Sequence, residues 1–215
     1  MHNQYWPAHY FVDAQGRIRH HHFGEGEYDE SERVLQQLLA EADNQGSSAD
    51  LVAVRASGVE AASDETNIQS PETYIGYDRA ENFISPGGAI DDDRHLYTVG
   101  KPRLNQWGLS GIWTVGSESA FLHKAGGRIV FRFHARDLHL VLGPGSDGKP
   151  VRFRVTIDGV APGASHGMDT DSAGNGLVTE QRLYQLVRQS GKIADRTFEI
   201  EFLDPGVQAY AFTFG

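Results

Sequence analysis

Val151-Arg-Phe-Arg-Val-Thr-Ile157 alternates apolar and polar side chains at every step, and Thr197-Phe-Glu-Ile-Glu-Phe202 repeats the pattern. A period of two puts Val151, Phe153, Val155 and Ile157 on one face and Arg152, Arg154 and Thr156 on the other, the mark of a strand with one buried and one wet side. Outward from these two runs, residues 97–99, 113–115, 128–135, 138–142 and 209–214 are short stretches of β-branched, aromatic and aliphatic residues. Gly143-Pro-Gly145, Asp147-Gly148, Asp158-Gly159 and Asp204-Pro205-Gly206 supply turns between runs. Seven or more short antiparallel strands within residues 71–215 predict a mainly β fold, a jelly-roll-type β-sandwich. Residues 177–188 are ambiguous, since Leu183, Leu186 and Val187 suit a helix while a setting between turns suits a strand; the strand is favoured. No repeat of fixed period is visible.

The first residues read differently. His9-Tyr-Phe-Val-Asp13 and Arg17-Ile-Arg-His-His-His-Phe23 flank Ala14-Gln15-Gly16, which predicts a β-hairpin with Gly in its loop. Asp29 with Glu32 three residues later fits a capping box, and Val34, Leu35, Leu38, Leu39 and Ala42 share one helical stripe, so a helix is expected over about residues 30–43. A hairpin and one helix bury too little apolar surface to fold alone. Apart from Leu51-Val-Ala-Val54, the next stretch is Gly, Ser, Ala, Asp, Glu and Asn without periodicity. The expected organisation is therefore a strand-strand-helix element over 1–45, a linker over 46–70 and the sandwich over 71–215.

Composition limits the function. Nineteen Lys and Arg against 29 Asp and Glu leave a net charge of −10, which repels phosphate backbones, so nucleic acid is not an expected partner. The longest apolar runs span four residues, far short of the ~20 that cross a bilayer. Residues 1–7 lack a basic and an apolar leader segment, so no signal peptide is expected there. There is no cysteine, which removes disulfides, thiolate nucleophiles and CxxC redox pairs from this chain.

Asn3-Gln-Tyr-Trp-Pro-Ala-His-Tyr-Phe-Val-Asp-Ala-Gln-Gly-Arg-Ile-Arg19 and His22-Phe-Gly-Glu-Gly-Glu-Tyr28 resemble the second half of a thioredoxin-like domain. Ser70-Pro-Glu-Thr-Tyr-Ile-Gly-Tyr77, Phe83-Ile-Ser-Pro-Gly-Gly88 and the ending Asp204-Pro-Gly-Val-Gln-Ala-Tyr-Ala-Phe-Thr-Phe-Gly215 are similar to the segment that follows it in the DipZ-type cytochrome c biogenesis and thiol:disulfide interchange proteins. The resemblance covers nearly the whole chain. It implies that residues 1–45 are the last strands and helix of a thioredoxin-like fold, and that residues 71–215 resemble a carbohydrate-binding module. It further implies that Trp6-Pro7 is the cis-proline loop facing the redox site. By themselves these residues favour a trans proline at a strand start, because cis accounts for only ~5–6% of X-Pro bonds.

The half that carries the CxxC pair in that family has no counterpart here, nor has the membrane-embedded electron-transfer domain. The chain is thus expected to be a truncated, extracytoplasmic, periplasmic-side part of a larger redox protein, redox-inactive by itself. The intact parent would engage a membrane electron-transfer domain and exported disulfide proteins. Alternatives from other classes are a free-standing glycan-binding module and a purely structural or oligomerising domain, with homo-oligomer formation or domain exchange through the exposed hairpin.

Other clusters are weighed on their spacing. His20-His21-His22 on a strand puts His20 and His22 on one face, so at most two share an ion, and a solvated or interface strand is the expected reading. Asp169, Asp171, Gly174 and Glu180 nearly match a calcium loop, but position five is Ala173, and a plain Asp/Gly turn is expected. For sugar binding the candidates are Trp107, Tyr184, Arg182 and His139, with Trp113 assigned to the core. No spacing singles out catalytic residues, and no cofactor or metal is expected.

Overall fold

Asp13 closes the first hairpin. Its Oδ1 accepts the backbone N–H groups of Gln15 at 3.0 Å and Arg17 at 2.9 Å, while Gly16 takes the left-handed φ of 79° that the turn requires. Arg17 N–H, the largest influence, holds this carboxyl down at about 2. Strands β1 (Ala8–Val12) and β2 (Ile18–Phe23) pair antiparallel, with His9 opposite His22 and Phe11 opposite His20. Helix α1 (Tyr28–Asp43) follows, its Leu38 buried and its Glu41 paired at 2.7 Å with Arg19 of β2. The helix starts two residues before the expected position, so Asp29 lies inside its first turn, where a carboxylate complements the N-terminal dipole.

The computed structural model describes residues 8–23, 28–43, 64–145 and 148–215. The chain divides into two units, residues 1–65 and 66–214. In the second unit the strands are β3 (Thr73–Tyr74), β4 (Arg94–Tyr97), β5 (Trp107–Val115), β6 (Ala120–Leu122), β7 (Gly127–Phe133), β8 (Asp137–Gly143), β9 (Val151–Ile157), β10 (Asn175–Val178), β11 (Arg182–Arg188), β12 (Arg196–Phe202) and β13 (Gln208–Phe214).

They form one curled, antiparallel, sandwich-like sheet whose two leaves share β5. The first leaf runs β10-β9-β12-β7-β5 and the second β5-β6-β13-β8-β11, with β4 on β5 and β3 on β13. Residues Trp107 to Ser110 of β5 pair with β7, whereas those from Gly111 onward pair with β4 and β6. Gly111 marks the changeover: its φ is 102°, and a Cβ there would stand 2.9 Å from the Gly127 Cα.

Alternation then fills the space between leaves. Val151, Phe153, Val155 and Ile157 are buried while Arg152 and Arg154 are exposed, as the period of two requires. Phe131 of the first leaf meets Phe212 of the second at 4.9 Å between ring centres, Phe198 meets Phe212 at 5.9 Å, and Trp113 meets Phe202 at 5.9 Å. These cross-leaf aromatic pairs are what a mainly β chain of this composition has to bury.

Several boundaries differ from expectation. β4 ends at Tyr97 where residues 97–99 were expected as strand, and β5 begins at Trp107, six positions before the expected residue 113, because its first half joins a different leaf. The ambiguous residues 177–188 hold the end of β10 and all of β11.

Candidate functional site

The outer face of the second leaf carries a cleft of about 280 Å³. Its base is local backbone geometry. Tyr74 pairs with Ala211 in the β3–β13 register, and the β13–β8 register shifts between Ala209 and Ala211, which makes Tyr210 the extra residue of a bulge, partly exposed between two buried alanines. The segment after β3 is stitched on both sides: Ile75 N–H donates to the Tyr210 carbonyl at 2.8 Å, Tyr77 N–H to Gly116 O at 3.0 Å and Asp78 N–H to Ser117 O at 3.1 Å. Gly76 makes this close approach feasible, since a Cβ there would lie 2.3 Å from backbone atoms of Ser117 and Glu118.

Side chains then define the chemistry. The Arg79 guanidinium carbon sits 3.3 Å from the Tyr74 ring centre, a cation–π stack. The Tyr210 hydroxyl is 3.2 Å from both Gln181 Oε1 and Gln208 Oε1. Burial, followed by the neighbouring Glu72, raises the Tyr74 phenol above its ordinary value; burial, followed by Glu118, does the same at Tyr210. Both phenols therefore stay protonated at neutral pH, their O–H groups given to Glu72 and to the glutamine amide oxygens. Asp78 and Glu118 complete the rim. Stacked aromatic, guanidinium, amide and carboxylate groups around a concavity of this size suit a small, hydroxyl-rich ligand, just below the ~300–1,000 Å³ seen for small-molecule sites.

The residues singled out on sequence lie elsewhere. Trp107 is 1% exposed, its Nε1 donating to Glu81 O at 2.8 Å and its ring 4.7 Å from Phe83, so it offers no platform to solvent. Tyr184 is wholly buried, with its hydroxyl donating to Glu180 O at 2.9 Å. Arg182 lies over that ring at 3.9 Å and chelates Asp169 at 2.6 and 3.1 Å. His139 sits half-buried on β8, its Nδ1 3.4 Å from Thr213 Oγ1. Trp113 is in the core, as read.

The calcium-loop carboxylates do not converge. Asp169 is held by Arg182 and by the Gln185 N–H at 2.8 Å, Asp171 Oδ1 accepts from Ala173 and Asn175 N–H, and Glu180 lies 3.5 Å from Arg182 Nε. Among the described residues no group of three His, Asp or Glu side chains is arranged to hold a metal ion. On β2, His22 is buried and His21 exposed, in line with alternation. Trp6 and Pro7 lie outside the described residues. Among the described residues no helix is long and apolar enough to cross a membrane.

A family model described as the thioredoxin-like C-terminal domain matches residues 70–215, the whole span from β3 to β13. Proteins named DipZ from Mycobacterium bovis and Mycobacterium tuberculosis are each 28% identical to this chain over 229 residues, covering 99% of it. The chain spans 28% of the length of those relatives.

Proposed function

Since this chain belongs to the family of thioredoxin-like C-terminal domains, we propose that it is the thiol-free accessory part of a thiol:disulfide interchange protein and that its β unit holds a carbohydrate. The likeness to part of DipZ along 99% of this chain supports the first half. Disulfide exchange needs an attacking thiolate, and a chain without cysteine has none, so its contribution is positioning or recognition. In the longer protein it would work outside the cytoplasm, beside a membrane electron-transfer domain and facing exported disulfide proteins.

The observation that carries the binding half is the Tyr74–Arg79 stack beside the half-buried Tyr210 hydroxyl. An array of neutral glycans with titration of any hit by calorimetry tests it. Binding that disappears in Tyr210→Ala and Arg79→Ala while the fold is kept is the expected result; a blank array overturns it. For the redox half, insulin reduction by dithiothreitol should run no faster with the chain than without it.

A second reading is favoured by one feature of the first unit. Val12, Ile18, Leu35 and Leu39 are each about half exposed on the hairpin and helix. This face would dock the unit against further thioredoxin-like structure or a second copy. Sedimentation showing a clean monomer at high concentration counts against the self-pairing form.

A further inference from the structure

Charge narrows what the Tyr74–Tyr210 cleft takes. Asp78 and Glu118 both line it and both are exposed to solvent, yet among the described residues neither forms an ion pair. Glu118 stands close enough for its charge to raise the proton affinity of the Tyr210 phenol. The one cation in the lining, Arg79, is laid flat on the Tyr74 ring, where its charge is partly matched by the π face. One guanidinium against two carboxylates leaves the lining at 1 − 2 = −1, inside a chain of net −10 that already repels anions.

What complements such a lining is a compact, multiply donating cation set beside hydroxyl groups. An ammonium offers three N–H donors and fits a small concavity better than a planar guanidinium. Two carboxylates and two phenol oxygens supply its acceptors, while the Arg79 edges serve the hydroxyls. We propose that the cleft selects sugars bearing a free amino group over their N-acylated and acidic counterparts. This rests on the carbohydrate reading above. An N-acetyl group removes the charge and adds bulk to a site near the lower size limit, and a uronate brings like charge against Asp78 and Glu118.

Calorimetry on the full chain with the β-1,4-linked glucosamine disaccharide, its N,N′-diacetyl counterpart and a glucuronate-containing disaccharide tests the selection. Each exposed ion pair is worth a factor of about three, and the two factors multiply, so two carboxylates predict a preference of about tenfold for the amine over the acetylated sugar. Raising NaCl from 0.05 to 0.5 M should shrink that preference, a readout that needs no variant. In the double variant Asp78→Asn/Glu118→Gln the preference should fall below about twofold; the single exposed change Glu118→Gln should cut it to about threefold if the double variant does not fold. Equal affinity for amine and acetylated sugar, or a preference untouched by salt and by both variants, overturns the selection and leaves the carbohydrate reading standing. Binding of none of the three overturns both.

Discussion

Arg188 faces Asp137 across the β8–β11 ladder, its Nε 2.7 Å from a carboxylate oxygen almost wholly shielded from water. The other oxygen takes Arg136 through Nε at 2.8 Å and its terminal nitrogen at 2.6 Å. Asp137 is thus a buried anion between two partly exposed cations, and removing it leaves both guanidinium groups facing a void. Asp137→Ala should cost about 3 kcal/mol in urea denaturation, because it removes charge-assisted hydrogen bonds to two guanidinium groups and leaves a void. The variant should melt roughly 6–12 °C lower. A loss under about 1 kcal/mol would mean that water reaches this carboxylate.

Trp107 gives a sharper separation between packing and binding. Its ring closes the core beneath Phe83 and its Nε1 satisfies the Glu81 carbonyl. Trp107→Phe should destabilise by roughly 1–3 kcal/mol, from lost volume and an unmet carbonyl, and leave glycan affinity unchanged. Tyr210→Ala should behave in the opposite way. Denaturation and titration of both variants check the pair, and equal loss of binding in the two would restore Trp107 as a ligand platform.

These two residues also explain what was readable in the chain. Strands such as β9 and β12 are legible because local alternation and long-range burial agree there. β6, three residues long, carries too little pattern to be seen, and its partners lie in β5 and β13. Trp107 stood as a sugar-binding candidate because nothing local tells which face it takes or that β5 turns from one leaf to the other at Gly111; it pairs opposite Phe131, 24 positions on. The cleft was missed for a related reason. Tyr210 is the extra residue of a β-bulge in the pairing with β8, which local alternation does not reveal, while Arg79 meets Tyr74 through a turn whose shape is set by the distant 116–119 segment.

Acid should loosen the second unit through Asp204. Arg152 grips this carboxylate with Nε and a terminal nitrogen, both at 2.8 Å, and with its backbone N–H at 3.0 Å. That guanidinium, the largest influence, holds the Asp204 carboxyl at about 2, below the ordinary 3.8. A depressed carboxyl stabilises the fold at pH values above 3.8 and loses that contribution as pH falls toward 2. The urea midpoint of the wild type should therefore drop between pH 5 and pH 2, and Asp204→Asn should flatten the drop. Superimposable pH profiles would show that the pair contributes nothing.

Gly76 links stability to the site most directly. A methyl group there would have to occupy space 2.3 Å from the Ser117 carbonyl oxygen and the Glu118 carbonyl carbon, both backbone atoms that cannot rotate away. The 75–79 segment must then lift from the 116–119 turn, losing the Tyr77 and Asp78 N–H bonds to Gly116 and Ser117. Arg79 and Glu118 separate in the same movement, so the cleft opens while the core rings stay in place. Gly76→Ala should cost roughly 1–3 kcal/mol, the usual range for forced overpacking, and lose measurable sugar binding. Gly100→Ala is the matched control, with nothing within 4 Å of the added carbon and an expected change within about ±0.5 kcal/mol. If Gly76→Ala loses stability but binds sugar as well as Gly100→Ala does, the ligand sits somewhere other than between Tyr74 and Tyr210.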